Sequence, residues 1–104
     1  MFEAWVYMLR CSDGHYYVGS TRSSLEARLA EHNSGIYGGY TSSRRPVVLV
    51  WSQPFVSILD AIAAERQIKG WSRAKKEALI RNDFEALRAL SRGGRAPGGG
   101  AASG

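Results

Sequence analysis

The stretch WVYMLRCSDGHYYVGST, residues 5–21, constrains the fold more than any other part of the chain. Two runs of aromatic and branched residues flank Ser12-Asp13-Gly14-His15, and Asp-Gly between such runs is a strong hairpin signal. Alternation puts Trp5, Tyr7, Leu9 and Cys11 on one face of the first strand, and Val6, Met8 and Arg10 on the other. Tyr17 and Gly19 share a face of the second strand. Loop length decides which residues meet. A two-residue turn pairs Ser12 with His15 and sends the two tyrosines to opposite faces. A three-residue loop, with Gly14 left-handed in a bulge, pairs Cys11 with His15. Tyr7 then lies opposite Gly19, on the same face as Tyr17. The bulged form is the expectation, because it builds a concave spot with two phenols beside a missing side chain. The plainer alternative is a sheet with ordinary aromatic cross-strand packing.

After the hairpin, Ser20-Thr21-Arg22-Ser23-Ser24 supplies cap candidates for a helix from about Ser24 to Asn33, ended by Ser34-Gly35. Leu25 and Leu29 mark its buried face. Arg28 and His32, four residues apart, fall at the margin of that face, where polar heads can line a cleft. A snorkelling arginine and a hydrogen-bonded core histidine are the alternative. Residues 35–45, GIYGGYTSSRR, read as a loop. Its backbone amides, hydroxyls and arginines (Thr41, Arg44, Arg45) could grip phosphates, and Tyr40 could stack on a base. Pro46 opens a strongly apolar strand, PVVLVWSQPF, expected to lie centrally in the sheet and to end at Pro54.

Ser57 caps a second expected helix, with Asp60 at the capping-box position. On its wheel Glu65 falls in the middle of the apolar stripe with Ile58, Ala61, Ile62 and Lys69. A glutamate there must be paired, protonated or bound to metal, because burying a lone carboxylate is very costly. A salt bridge to Lys69 or to an arginine is the structural alternative to a metal ligand. Ser72 caps a third helix, with Leu79 and Ile80 inward, and Asn82-Asp83 starts a fourth, with Phe84, Leu87 and Leu90 packing down. Arg66, Lys69, Arg73, Lys75 and Lys76 crowd the junction between two helices. From Arg92 on, GGRAPGGGAASG lacks core formers and reads as disordered. The expected organisation is one domain over residues 1–91 followed by this tail.

Fourteen Lys and Arg against nine Asp and Glu leave a net charge of +5, which suits a polyanionic partner. The single cysteine, Cys11, cannot form an internal disulfide, and no zinc-type spacing occurs. No secretory signal and no apolar run of membrane-spanning length is visible, so a soluble cytoplasmic protein without membrane contact is expected. No protein partner can be inferred.

The order Tyr7, Tyr17-Val18-Gly19, Arg28 with His32, then Glu65 with Lys69 resembles the GIY-YIG nuclease superfamily. More closely, it resembles the short single-domain bacterial members. Their pattern appears here as Leu9-Arg10-Cys11-Ser12-Asp13-Gly14, Tyr17-Val18-Gly19-Ser20-Thr21, Arg28-Leu29-Ala30-Glu31-His32-Asn33-Ser34-Gly35, Tyr40-Thr41-Ser42-Ser43-Arg44-Arg45-Pro46 and Glu65-Arg66-Gln67-Ile68-Lys69. The resemblance covers roughly residues 5 to 81, and the ordered set is far more specific than any one piece. The first triplet is Trp5-Val6-Tyr7 rather than Gly-Ile-Tyr, and Gly39 stands where related chains often carry lysine.

The resemblance implies an α+β fold, a small three-stranded antiparallel sheet flanked by helices. It implies divalent-metal-dependent cleavage of a phosphodiester bond; a single Mg²⁺ or Mn²⁺ is the expected cofactor, and DNA, single-stranded or structured, is expected ahead of RNA. Glu65 is the implied metal ligand, Tyr7 and Tyr17 the catalytic tyrosines, and Arg28 the transition-state arginine. The residue chemistry agrees. One glutamate can hold one ion that keeps most of its waters. An arginine can meet the growing charge on phosphate. A tyrosine of ordinary pKa, about 10, needs nearby positive charge to act as a base. Tyr7 is the favoured base and Tyr17 its partner, though the two could be exchanged, and His32 would orient a tyrosine or relay its proton. Gly19, Tyr40, Thr41, Arg44, Arg45, Lys69, Lys75 and Lys76 are the expected contacts to nucleic acid. A binding module that uses the same cleft without cutting is the competing reading.

Overall fold

The structure is a computed structural model that describes residues 1–34, 41 and 43–93. It divides into two compact units, Met1–Lys69 and Gly70–Gly104. In the first, β1 (Ala4–Arg10) and β2 (Tyr16–Thr21) form the hairpin. Helix α1 (Leu25–Ser34), strand β3 (Val48–Phe55) and helix α2 (Ile58–Lys69) follow. The second unit holds α3 (Arg73–Ile80) and α4 (Phe84–Gly93).

The hairpin closes through the bulged loop. Gly14 has φ of 88°, a left-handed conformation that glycine adopts without the steric cost of a Cβ. The Gly14 amide donates to the Cys11 carbonyl (2.9 Å), and the Cys11 amide donates to the His15 carbonyl (2.8 Å). The register that results pairs Tyr7 with Gly19 and Leu9 with Tyr17, as the three-residue loop requires.

The sheet is antiparallel, in the order β2-β1-β3. β1 is therefore the central strand, and the expectation of a central third strand is wrong. β3 is an edge strand with no fully buried residue, and it runs one residue past Pro54. The proline explains both points. The Glu3 amide donates to the Phe55 carbonyl, so Phe55 turns its polar groups to β1 and Pro54 turns away. Proline, lacking an N–H, is tolerated there only because no neighbour lies beyond.

Each face of β1 is covered. Tyr7, Leu9 and Cys11 form a buried cluster with Val47, against which Leu25, Leu29, Tyr17 and Leu49 pack. On the other face Ala4, Val6 and Met8 are buried, and α2 lies along β1 and β2. The buried positions of α2 are Ala61 and Ile68. The stripe is thus rotated toward Ala61 relative to the wheel reading. Glu65 sits half-buried at its border, and Lys69 lies outside it. Ser24 caps α1 by accepting from the Ala27 amide (3.0 Å), and Ser57 accepts from the Leu59 amide (3.2 Å).

In the second unit, Ser72 caps α3 by accepting from the Lys75 amide. Ala78 and Leu79 are buried, while Ile80 is half-buried. Asp83 caps α4 by accepting from the Ala86 amide (3.0 Å). Phe84 was expected to pack down but is exposed, whereas Leu87 and Leu90 are half-buried. The expected tail lies, from residue 94, outside the described residues.

Candidate active site

The site grows from the face of β1 that carries Tyr7. Opposite Tyr7, Gly19 leaves a gap. A Cβ there would lie 2.6 Å from the Tyr7 hydroxyl oxygen and 3.1 Å from the Tyr17 ring. Real carbon atoms do not approach an oxygen so closely, so the glycine is the seat of both phenols. The Tyr7 and Tyr17 ring centroids are 6.4 Å apart. His32 reaches in from α1, with its ring centroid 5.9 Å from Tyr7 and 5.1 Å from Tyr17.

His32 lies deeper than the rim position expected for it, at 3% exposure. Its Nε2 is 3.0 Å from the Tyr7 hydroxyl, and its Nδ1 is 2.9 Å from the Thr41 hydroxyl. Burial pushes the imidazole pKa below its ordinary value; Arg28's positive charge adds to this, and Glu31 opposes it. The ring is therefore neutral near pH 7, and one of its nitrogens can accept a proton. Arg28, one turn earlier on α1, is partly buried, with its Nε 3.4 Å from Glu31 Oε1.

Glu65 meets the sheet from the other side. Ser20 follows Gly19 and so projects from the opposite face; its hydroxyl donates to Glu65 Oε1 at 2.6 Å. Lys69 Nζ is 2.8 Å from Glu65 Oε2. Of the two salt-bridge partners expected for this carboxylate, Lys69 and an arginine, the structure shows Lys69, and Ser20 holds the other oxygen. The hydrogen bond to Glu65 raises the Lys69 pKa; burial opposes that, while the charges of Glu65 and Tyr17 add to it. β2 is the edge strand that separates the two clusters.

The donor set at Glu65 suits a hard cation. It offers a carboxylate and a hydroxyl, and the lysine paired with it is half-exposed. Among the described residues no three His, Cys, Asp or Glu side chains gather. A carboxylate beside a hydroxyl is compatible with an ion that takes few protein donors, as Mg²⁺ does when it keeps its waters and takes phosphate oxygens.

The expected phosphate grip is only partly assembled. Thr41 is 2% exposed and its hydroxyl is bonded to His32. Arg44 Nε donates to Asp13 Oδ2 at 2.9 Å, and its carbonyl accepts from the Ser12 amide. It braces the hairpin loop. Arg45 is exposed and donates to the Asn33 carbonyl (3.2 Å) beside an open groove lined by Asn33, Ser43 and Pro46. Lys75 and Lys76 belong to the second unit, where Lys75 Nζ lies 5.6 Å from the centre of the Trp71 ring. Tyr40 lies outside the described residues. Three residues escaped the sequence reading: Thr41 as a partner of His32, Ser20 as a partner of Glu65, and Asn33. The Asn33 side chain accepts from the Val47 amide (2.7 Å) and donates to its carbonyl (3.1 Å). The only signal for Ser20 and Asn33 was their place inside motifs read for other residues.

Residues 3–78 match the sequence model of the GIY-YIG catalytic domain. The chain belongs to the GIY-YIG family. A UPF0213 protein of Syntrophus aciditrophicus is 47% identical over 88 residues, covering 84% of this chain and 100% of that one. Two solution NMR structures share the fold. UPF0213 protein BH0048 from Bacillus halodurans is 36% identical, with a TM-score of 0.51 over 85% of this chain and 96% of that one. EF2693 from E. faecalis is 35% identical, with a TM-score of 0.54 over 81% and 92%. GIY-YIG membership makes this a chain of a nuclease superfamily. No helix among the described residues is long and apolar enough to cross a membrane.

Proposed function

We propose that this GIY-YIG chain is a metal-dependent endonuclease that hydrolyses phosphodiester bonds in nucleic acid, DNA ahead of RNA. The observation that carries the reading is the buried hydrogen bond between the Tyr7 hydroxyl and Nε2 of a neutral His32, with Tyr17 beside it. A phenol is a poor base at neutral pH. It becomes a usable one when its own proton has somewhere to go. Tyr7 can take a proton from the attacking water while its hydroxyl proton passes to His32 Nε2. This favours Tyr7 over Tyr17 as the base. Tyr17, half-buried at the sheet edge, is placed to orient the water or the phosphate.

Arg28 is assigned to the negative charge that grows on the phosphate oxygens. Glu65, helped by Ser20, would hold the single Mg²⁺ or Mn²⁺, with Lys69 turning from the carboxylate to the phosphate. Lewis-acid charge on a phosphate oxygen is what that ion supplies when bound. Gly19 leaves the space that the Tyr7 hydroxyl occupies. Arg45, Lys69, Lys75 and Lys76 are the proposed backbone contacts. A non-cutting binding module would need no relay buried behind a tyrosine, which speaks for the enzyme.

The test is incubation with labelled single-stranded and duplex DNA and RNA, in Mg²⁺ or Mn²⁺ and then with a chelator. Cleavage that needs the metal and is lost in Tyr7→Phe is expected. Tight binding without cleavage in either metal would favour the binding module.

A further inference from the structure

We propose that Thr41 is a positioning residue that fixes the tautomer of His32, keeping the proton on Nδ1 and the lone pair of Nε2 on the Tyr7 hydroxyl. The inference rests on the nuclease reading for its catalytic meaning, but its structural core stands without it.

His32 is bonded at both ring nitrogens, at 3.0 Å to a phenol and at 2.9 Å to an aliphatic alcohol. A neutral imidazole has one N–H and one lone pair. Two arrangements are possible. Either Tyr7 donates to Nε2 and Nδ1–H donates to Thr41, or Thr41 donates to Nδ1 and Nε2–H donates to Tyr7. Acidity decides between them. A phenol, at a pKa of about 10, is several units more acidic than an alkyl hydroxyl and so the better donor. An alkyl hydroxyl oxygen is correspondingly the better acceptor. The first arrangement gives each partner the role it performs well.

Depth makes the choice consequential. His32 and Thr41 are 3% and 2% exposed, so water is not at hand to replace a lost partner, and an unpaired buried group is costly. The arrangement also serves the proton transfer. When Tyr7 takes a proton from water, its O–H bond breaks and a new N–H bond forms at Nε2. The resulting imidazolium carries a proton on each nitrogen, and the Thr41 oxygen already accepts the one on Nδ1. Nothing else need move. With the opposite tautomer, Nε2 already bears a proton and the transfer has no acceptor. Thr41 thus acts through His32 and touches no substrate.

The experiment is ¹⁵N NMR of the histidine ring nitrogens in the full chain, above the imidazole pKa, with the His15 signals assigned by a His15→Asn variant. Wild type is expected to show Nδ1 protonated and Nε2 bare. Thr41→Ser, which keeps the oxygen, should give the same pattern. Thr41→Val, which keeps the shape, should populate the Nε2–H form. Its kcat for nucleic-acid cleavage should fall by about tenfold or more, with KM unchanged, and the serine variant should restore it. Protonated Nε2 in the wild type overturns the proposal even if no variant folds. So does a Thr41→Val spectrum identical to wild type. If the wild type cuts no nucleic acid, the nuclease reading fails, while the NMR pattern still decides the role of Thr41.

Discussion

Tyr7 and Tyr17 differ in what the loss of a hydroxyl leaves behind. Tyr7 is 2% exposed and its oxygen is paired with a buried histidine. Tyr7→Phe should abolish cleavage and also cost about 1–3 kcal/mol, because His32 Nε2 is left without its partner. Tyr17→Phe, at a half-buried position, should lose activity with a much smaller change in stability. Urea denaturation and a cleavage assay on both variants check this; equal stability loss would refute the asymmetry. Glu65 poses the reverse case. Its ion pair is with a lysine whose side chain is 52% exposed, and such pairs contribute about 0–1 kcal/mol. Glu65→Gln keeps the bond from Ser20 in shape, so a small stability change is expected, with full loss of metal-dependent cleavage. A variant that still cuts in Mg²⁺ would remove Glu65 from the mechanism.

At the scale of elements, a side-chain clasp ties α1 to the residue that precedes β3. Asn33, near the end of α1, pairs with both polar groups of Val47, just before β3. Val47 is 3% exposed, so Asn33→Ala leaves a buried N–H and C=O unpaired and should cost about 2–4 kcal/mol. A denaturation midpoint close to wild type would mean that water takes the place of the amide. The clasp also shows where sequence reading stops. The hairpin register was legible because loop length and strand parity are local, and Asp13-Gly14 states both. The helices were legible from periodicity and caps. The place of β3 was not, because an apolar run of eight residues reads the same at the centre of a sheet or at its edge. Only Pro54 pointed outward, and it was read as a terminator. Glu65 was legible as an anomaly, but its partner Ser20 lies 45 residues away, and no periodicity joins them. Thr41 was read as part of an exposed grip because its hydroxyl-rich surroundings have no apolar pattern to announce burial.

For the whole molecule, charge governs the encounter with a polyanion. Each cation that contacts a phosphate contributes about one unit to the salt dependence of binding. Neutralising Arg45, Lys75 or Lys76 should lower that slope by about one unit each. Arg44→Ala should lower it less, since Arg44 is committed to Asp13; an equal drop would contradict that commitment. Acid should weaken the fold in a defined window. The folded chain resists protonating His32, so the unfolded chain binds that proton first. This contribution to stability is complete above a pH of about 6.5 and shrinks as pH falls below it. Asp13 is held below its usual range, chiefly by the His15 amide, and its contribution is lost only in stronger acid, below about pH 4. Denaturation midpoints at pH 7.5 and 5.5 should therefore differ in wild type and differ less in His32→Gln. The central position of β1 also decides how often the proposed base wanders. Fraying starts at exposed edges and helix ends, and such local openings far outnumber global ones. Tyr7 sits on a strand laddered on both sides, so its backbone is released only when one neighbour has already peeled away. The proposed base is thereby carried by the strand that local opening should reach last, and Tyr17 by an edge strand that should open sooner.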